Sequence, residues 1–329
     1  MELIVENHSM YPRVGETDSE LRLRRAHHQF DHGEITQQEL ASIENDYVEE
    51  LIAEQQQAGL DIVTDGMIRW YDHISHLNRK LSGVEVGGLV RYFDTNYLVR
   101  EGLVKSTLER QQPLLVEEFK FASSVADRPV KQILTGPLTL SYFAELADSP
   151  YATQQELAEA YADLLVEEVA DLSAAGLKEL QIEEPVLLQN PEAAEWALPL
   201  VDRIATAAAD VEVRLASYFG DPVPLYDQLQ ESAVDLLMFD FVYGNELYKT
   251  IQQKGSDRRL VMGVLDGRNT KLADPAELVE KLKPVLDSLP EGRNSLSFTS
   301  SLDYLPRDRA RLKLQRLVQI GDQLQEVLG

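Results

Sequence analysis

Short β-branched or apolar runs alternate along the chain with longer amphipathic stretches, the order expected of parallel strands joined by crossover helices. The runs are LDIVTD, GLVRYFD, QILTG, LKELQIEEP, VEVRLASYFGD, VDLLMFD, LVMGVLDG and SLSFTSSLD. About eight such units in 329 residues predict a (β/α)8 TIM barrel, with the whole chain 1–329 as one domain. LIVEN near the start reads as a further strand, and GLVRYFD reads equally as part of a hairpin, so the strand roster stays open at those two runs.

The intervening stretches carry their own start and stop signals. EITQQELASIENDYVEELIAEQQQAG has apolar positions at helical spacing, opens at Thr36 with Glu39 three residues on, and stops at Gly59. TQQELAEAYADLLVEEVADLSAAG repeats the scheme from Thr153 to Gly176, and DPAELVEKLKPVLDSLP places Pro275 in a first helical turn. PRDRARLKLQRLVQIGDQLQEVL reads as a last helix with most of its basic residues early. There is no low-complexity segment, flexible linker or short tandem repeat.

Each apolar run gives way to a polar, glycine-rich ending: TDG, FDTNY, LTGP, IEEP, SYFGD, FDFVYGN, LDGRN and TSSLD. In a barrel of this class the carboxyl ends of all strands open on one face, and that face carries the site. The adjacent acids Glu183 and Glu184, halted by Pro185, therefore point toward a shared and largely acidic mouth.

Composition narrows the chemistry. A formal charge of -25 argues against a nucleic-acid or anionic-membrane surface, so an anionic ligand needs a local basic pocket. The absence of cysteine removes disulfides, thiolate metal sites and cysteine nucleophiles. No apolar segment approaches the roughly 18 residues of a spanning helix, and MELIVENHSMYPR lacks the pattern of a secretory signal, so a cytoplasmic protein is expected. No phosphate-binding loop, dinucleotide-binding turn or serine nucleophile elbow occurs.

Several residues carry candidate chemistry. Glu183 and Glu184 suit a general acid and base, since close carboxylates push their pKa values apart; the alternatives are a salt bridge for one and a ligand amine or a loop cap for the other. Asp65, Asp72, Asp240 and Arg268 join them at strand ends, a costly collection to keep without a ligand. His73 and His76, three apart, suit either a metal-binding helical face or polar packing near the mouth. His28 and His32 read as surface residues. Gly267 permits a tight turn that aims Asp266, Arg268 and Asn269 inward, either onto a ligand or so that Arg268 pairs with Asp240 or Glu183. Tyr142 and Phe143 suit stacking on a flat ring or core packing.

Taken in order, NHSMYPRVG, GEITQQEL, GLDIVTDG, WYDHISHL, RYFDTNY, ILTGPLTL, LQIEEPVLL, RLASYFGD, GVLDGRN and SSLDYLP resemble the cobalamin-independent methionine synthase family over nearly the whole chain. The likeness is closer to the N-terminal barrel of that two-barrel enzyme than to its catalytic one. It implies a place in methyl transfer from 5-methyltetrahydrofolate polyglutamate to homocysteine. In the family's catalytic barrel, zinc held by His, Cys, Glu and Cys activates the thiol; here Leu215, Ser217 and Ser300 stand at those places and only Asp240 stays acidic, so zinc is not expected on this chain. The acidic pair corresponds to a position that binds the homocysteine amino group. By resemblance, the folate tail is held by Arg24 and Arg25 in LRLRRA and by Arg91 before FDTNY, whose Asn96 joins the substrate-binding set with Asp72, His73, Asp266, Arg268 and Asn269. Leu21 stands where the family has arginine, and the acidic run ETDSE precedes the patch. The implied role is an accessory barrel working beside a separate zinc-bearing catalytic barrel. The alternative is a self-sufficient methyltransferase, or a metal-free barrel enzyme with a different acceptor, with Glu183, Glu184 and Asp240 as its catalytic residues.

Overall fold

The structure is a computed structural model describing residues 2–328. Its strands are β1 (Glu2–Val5), β2 (Leu81–Arg91), β3 (Leu98–Arg110), β4 (Lys131–Thr135), β5 (Ala144–Glu145), β6 (Glu179–Glu183), β7 (Glu212–Ala216), β8 (Leu236–Asp240), β9 (Arg259–Leu265) and β10 (Arg293–Phe298). Seven of them form one sheet in the order β1-β10-β9-β8-β7-β6-β4, parallel at every junction. The missing stave is the short segment 62–63. Glu6 pairs with Ile62 and Val63 with Val130, both in parallel, which closes the sheet into an eight-stave barrel.

This decides the strand roster. LIVEN supplies the first stave, and GLVRYFD is not a stave at all. It ends β2, which pairs antiparallel with β3 as a hairpin outside the barrel, with β5 along its other edge. Burial explains the difference: β4, β6 and β8 are buried at every residue, as staves covered on both faces must be, whereas β2 keeps residues exposed along its length. The turn after β2 nevertheless matters, because it carries Tyr92 and Phe93 over the barrel mouth, where both pack on Phe143.

The helices begin and end where their signals lie. Gln37–Ala58 has the full capping box between Thr36 and Glu39 and ends on Gly59 at φ 98°, a left-handed conformation that glycine adopts without strain. Thr153 caps Gln154–Ala174, and Asp274 caps Pro275–Leu286. The last helix, Arg307–Leu328, is tied to Gln37–Ala58 by the buried Arg307 guanidinium, 2.7 Å from Glu50 and 3.0 Å from Glu54. Among the described residues no helix is long and apolar enough to cross a membrane.

Strand β6 shows how polar residues enter the barrel interior. Leu180 and Ile182 join the apolar core, while Glu179, Gln181 and Glu183, alternating with them, face the other way. In the interior, Glu6 receives Lys131 at 2.7 Å and Arg214 at 3.1 Å, and Arg214 also lies 2.7 Å from Glu179. Burial raises the Glu6 pKa, but the two cations outweigh it and hold the carboxyl below its ordinary value.

Candidate functional site

Glu183 closes β6 and is the centre of a buried cluster at the carboxyl ends of the staves. Its Oε2 accepts the Tyr218 hydroxyl at 2.9 Å and lies 3.3 Å from His73 Nδ1. Its Oε1 accepts the Gln181 amide at 3.0 Å and lies 3.5 Å from His8 Nδ1. Tyr92 stacks on His73 with ring centroids 5.2 Å apart, and its hydroxyl is 3.3 Å from that of Tyr218. Burial pushes the Glu183 pKa up, yet His73, His8 and Tyr218 together bring it down to about 2. His73 is pulled down by burial and lifted more by Glu183, so it ends above its ordinary value. His8, in contact with the same carboxylate, is dominated by burial and falls to about 4. Near neutral pH the cluster thus holds a carboxylate between a histidine disposed to be charged and one that is neutral.

Not every polar atom here has a partner. His8 Nε2, Ser217 Oγ and Ser300 Oγ are buried without a hydrogen bond. Unpaired buried groups are unfavourable, and their clustering at strand ends marks a place for polar ligand atoms or water.

Glu184 has a different task. Its carboxylate accepts the backbone N–H groups of Leu138 and Thr139, each at 2.8 Å, and the Thr139 hydroxyl at 2.6 Å, closing the start of the helix Pro137–Tyr142. A Cβ added to Gly136 would fall 2.3 Å from this carboxyl group, so glycine is what lets it approach. Burial pushes Glu184 up to about 7, with the three donors pulling the other way. Of the alternatives open in the sequence, the cap is the one whose contacts the structure contains, at a helix start.

Other acids are similarly committed. Asp72 accepts from Ile74 N, Ser75 N, Ser75 Oγ and Arg100 N. Asp65 accepts from Met67 N, and its charged neighbours are Glu118, Arg69 and Lys80, not Glu183. His73 and His76 do not share a helical face, because the helix starts only at Ser75. His76 Nε2 instead meets Glu118 at 2.9 Å while its ring stacks on Trp70 at 4.6 Å. His28 and His32 are exposed and stacked on one another at 4.1 Å.

Above the cluster lies a cavity of about 480 Å³ lined by Phe93, Asp94, Tyr142, Gln189, Phe219, Gly220, Asp221, Asp240, Tyr243 and Arg268. Asp240 Oδ1 accepts from Val242 N and Tyr243 N, and burial lifts its pKa to about 6. Asp266 accepts the Arg268 N–H, the Tyr243 hydroxyl and the Asn269 amide. Arg268 pairs with neither Asp240 nor Glu183; its guanidinium lies over Phe219 and Tyr243. Phe93 and Phe219, whose rings are 5.5 Å apart, adopt φ of 54° and 63°. Two strained aromatic residues on one cavity wall fit the tendency of strain to gather at functional sites. Tyr142 lines the cavity while Phe143 packs inward on Tyr92.

The basic residues lie elsewhere. Arg24, Arg25 and His28 line an open groove of about 520 Å³ on the helix Arg22–Asp31. Arg24 also lines an adjoining hollow of about 290 Å³ with Arg13, His27, Arg69 and Trp70. Arg25 is bound to Asp18, whereas Arg24 makes no ion pair among the described residues. Arg91 and Asn96 are exposed near the hairpin turn, and Arg91 lines neither hollow.

The donor set does not fit a thiolate-type zinc centre. Leu215 is buried in the apolar core, Ser217 and Ser300 offer only hydroxyls, and among the described residues no three His, Cys, Asp or Glu side chains are grouped to hold a metal. Sequence reading missed His8, Tyr92, Tyr218 and Phe219. The signal for His8 was its place directly after LIVEN, and SYFGD held two of the others.

Known proteins resemble this chain in both sequence and fold. The model of the cobalamin-independent synthase N-terminal domain matches residues 76–290. A methionine synthase of Sulfolobus acidocaldarius is 29% identical over 310 residues, covering 94% of this chain and 88% of that protein. The 5-methyltetrahydropteroyltriglutamate–homocysteine methyltransferase of Thermotoga maritima is 24% identical over 329 residues, covering 95% of this chain but 44% of that protein. Among solved structures, a B12-independent methionine synthase from a Shewanella species in complex with selenomethionine superposes with a TM-score of 0.84 at 20% identity, covering 100% of this chain and 99% of that one, which shows the same barrel fold.

Proposed function

The chain belongs to the cobalamin-independent methionine synthase family, matching its N-terminal domain, and on that premise we propose that it is an accessory barrel for methyl transfer from a 5-methyltetrahydrofolate polyglutamate to homocysteine. It would bind the folate tail and work beside a separately encoded catalytic barrel that carries the zinc. The observation that carries this reading is Arg24, an exposed guanidinium without an ion pair among the described residues, at the junction of two basic hollows on a chain of charge -25. Carboxylates spaced along a glutamyl chain suit such a track, because each guanidinium takes a carboxylate through paired N–H donors. Arg25 extends the track, and Arg91 is reached only by a tail that leaves the groove toward the hairpin.

The catalytic partner is inferred from the strand-end donors here, which do not suit zinc. The cytoplasm is the compartment where this exchange is expected.

The deciding experiment titrates the purified chain with triglutamyl and monoglutamyl 5-methyltetrahydrofolate at low and moderate salt, with Arg24→Ala and Arg91→Ala alongside. Tighter, salt-sensitive binding of the triglutamate that Arg24→Ala weakens is the expected result. Equal binding of both folates, untouched by Arg24→Ala, would remove the tail-binding role.

A second reading has its own observation. The Sulfolobus relative named methionine synthase is matched over 88% of its length, so it is nearly one barrel long. On that reading the chain is a self-sufficient methyltransferase whose Glu183, His73 and Tyr218 serve the acceptor. Turnover by this chain alone, abolished by Glu183→Gln with folding intact, would select it.

A further inference from the structure

We propose that Arg268 is the carboxylate anchor of the mouth cavity, taking the α-carboxylate of an amino-acid ligand and thereby setting which small molecules enter above Glu183. This rests on the second reading above, in which the barrel itself takes an amino-acid acceptor, and it assigns a specificity-determining residue within that reaction.

Arg268 keeps its donors off the acceptors that occupy most other guanidinium groups of the fold. Arg110 meets Glu168 at 2.8 Å, Arg259 meets Glu212 at 2.5 Å and the buried Arg307 meets Glu50 at 2.7 Å, while Arg13, Arg69, Arg258 and Arg316, which make no ion pair among the described residues, donate to carbonyl or amide oxygens. Arg268, half-buried at the end of β9, makes no ion pair among the described residues. Its guanidinium carbon lies 4.9 Å from the ring centre of Phe219 and 5.4 Å from that of Tyr243, and the group also approaches the Tyr243 hydroxyl. Cation–π contacts on two rings fix where the group sits but leave its N–H donors largely unspent.

The nearby acids are already engaged. Asp266 has one oxygen on the Arg268 backbone N–H at 2.7 Å and the other on the Tyr243 hydroxyl at 2.6 Å. One oxygen of Asp240 accepts two backbone N–H groups, at 2.8 and 2.9 Å. A carboxylate is the acceptor that matches a planar guanidinium through two parallel N–H bonds, and the cavity is where one can come from.

The remaining wall defines the rest of the ligand. Phe93, Phe219 and Tyr243 offer apolar surface, which suits a short aliphatic arm. Asp94, Asp221 and Asp240 line the same cavity, so a ligand with several negative charges is repelled, whereas one whose carboxylate is balanced by an ammonium group is not. A glutamyl tail is therefore excluded here and left to the Arg24 groove. The cavity and the buried cluster share a wall: Tyr92 contacts Phe219 at 6.3 Å between ring centres and its hydroxyl is 3.3 Å from that of Tyr218, which donates to Glu183 at 2.9 Å.

The test is calorimetric titration of the full chain with L-methionine, with L-methioninamide, which keeps the amine and side chain but loses the carboxylate, and with free γ-triglutamate. Wild-type protein should prefer methionine to the amide by about 10- to 100-fold, the range for a charge-assisted pair. Arg268→Met should erase that preference while leaving amide affinity unchanged, which also shows that the variant is folded. Arg268→Lys should retain part of it, because an ammonium group pairs less well with a planar carboxylate. Equal binding of acid and amide by wild type, an undiminished preference in Arg268→Met, or no binding of either ligand would each overturn the proposal. Triglutamate binding lost on Arg24→Ala but kept on Arg268→Met would leave the tail reading standing when this one falls. Arg268-dependent methionine binding without triglutamate binding would do the reverse.

Discussion

Two halves of the same barrel interior are built on opposite rules. Toward the floor, Glu6, Lys131, Arg214 and Glu179 form a closed ion-pair network in which each charge has a partner. Toward the mouth, Glu183 shares contacts with His8, His73 and Tyr218, while His8 Nε2, Ser217 Oγ and Ser300 Oγ go without. Buried polar groups stabilise a fold only when satisfied, so the ion-paired lower half is architecture and the upper half is the candidate for a polar ligand. Unpaired atoms alone do not mark that site, since Tyr11 Oη, Trp70 Nε1 and Gln230 Nε2 are also buried without a hydrogen bond; it is the meeting of such atoms with the Glu183 carboxylate and two histidines that does.

The largest effect should come from breaking the satisfied half. Arg214→Met leaves Glu6 and Glu179 short of a cation in a dry interior, and a loss of about 3–5 kcal/mol in urea unfolding is expected. A loss below about 1 kcal/mol would mean the network is solvated and the contrast between the halves is false.

Next comes the pair of adjacent acids. Glu184→Ala strips the helix Pro137–Tyr142 of the acceptor for two backbone N–H groups and one hydroxyl, and should cost about 2–3 kcal/mol without altering ligand binding. Glu183→Gln preserves shape and should cost less, yet change ligand binding. The reverse ranking would exchange their roles.

Proton binding sharpens the comparison within the upper half. His8 is expected to stay neutral until about pH 4, while His73, raised above 6.5, holds its proton past the ordinary histidine range. Because the folded pKa of His8 is depressed, unfolding takes up a proton between 6.5 and about 4, so the stability it contributes is present above 6.5 and lost as pH falls through that window. His73 has the opposite sign: its contribution is complete below 6.5 and disappears as pH rises through its folded value. Imidazole titration by NMR reads both, and Glu183→Gln should lower the His73 value. An unmoved His73 would show that Glu183 does not hold its proton.

The smallest structural effect belongs to Arg24→Ala, an exposed residue whose loss should change stability by under about 0.5 kcal/mol while flattening the salt dependence of triglutamate binding. A stability loss well beyond that would make Arg24 a structural residue rather than a free one.

Much of this architecture is written locally. Alternating apolar and helical runs predict the barrel, Thr36, Thr153 and Pro275 mark helix starts, and the polar strand ends name the face on which the candidate site is proposed. These signals are legible because caps and periodicity depend on neighbours a few residues apart. The resemblance carried by the ordered motifs is likewise a property of the chain alone, and the matched domain agrees with it. Tertiary structure decided what sequence left open: that LIVEN and not GLVRYFD is a stave, that Glu184 caps a helix while Glu183 faces two histidines, and that Arg268 rests on rings rather than on Asp240 or Glu183. In each case the partner lies across the barrel or on another loop. Strand order and the direction of a strand-end side chain are set by closure of the sheet, a condition on the whole chain that no short stretch of it contains.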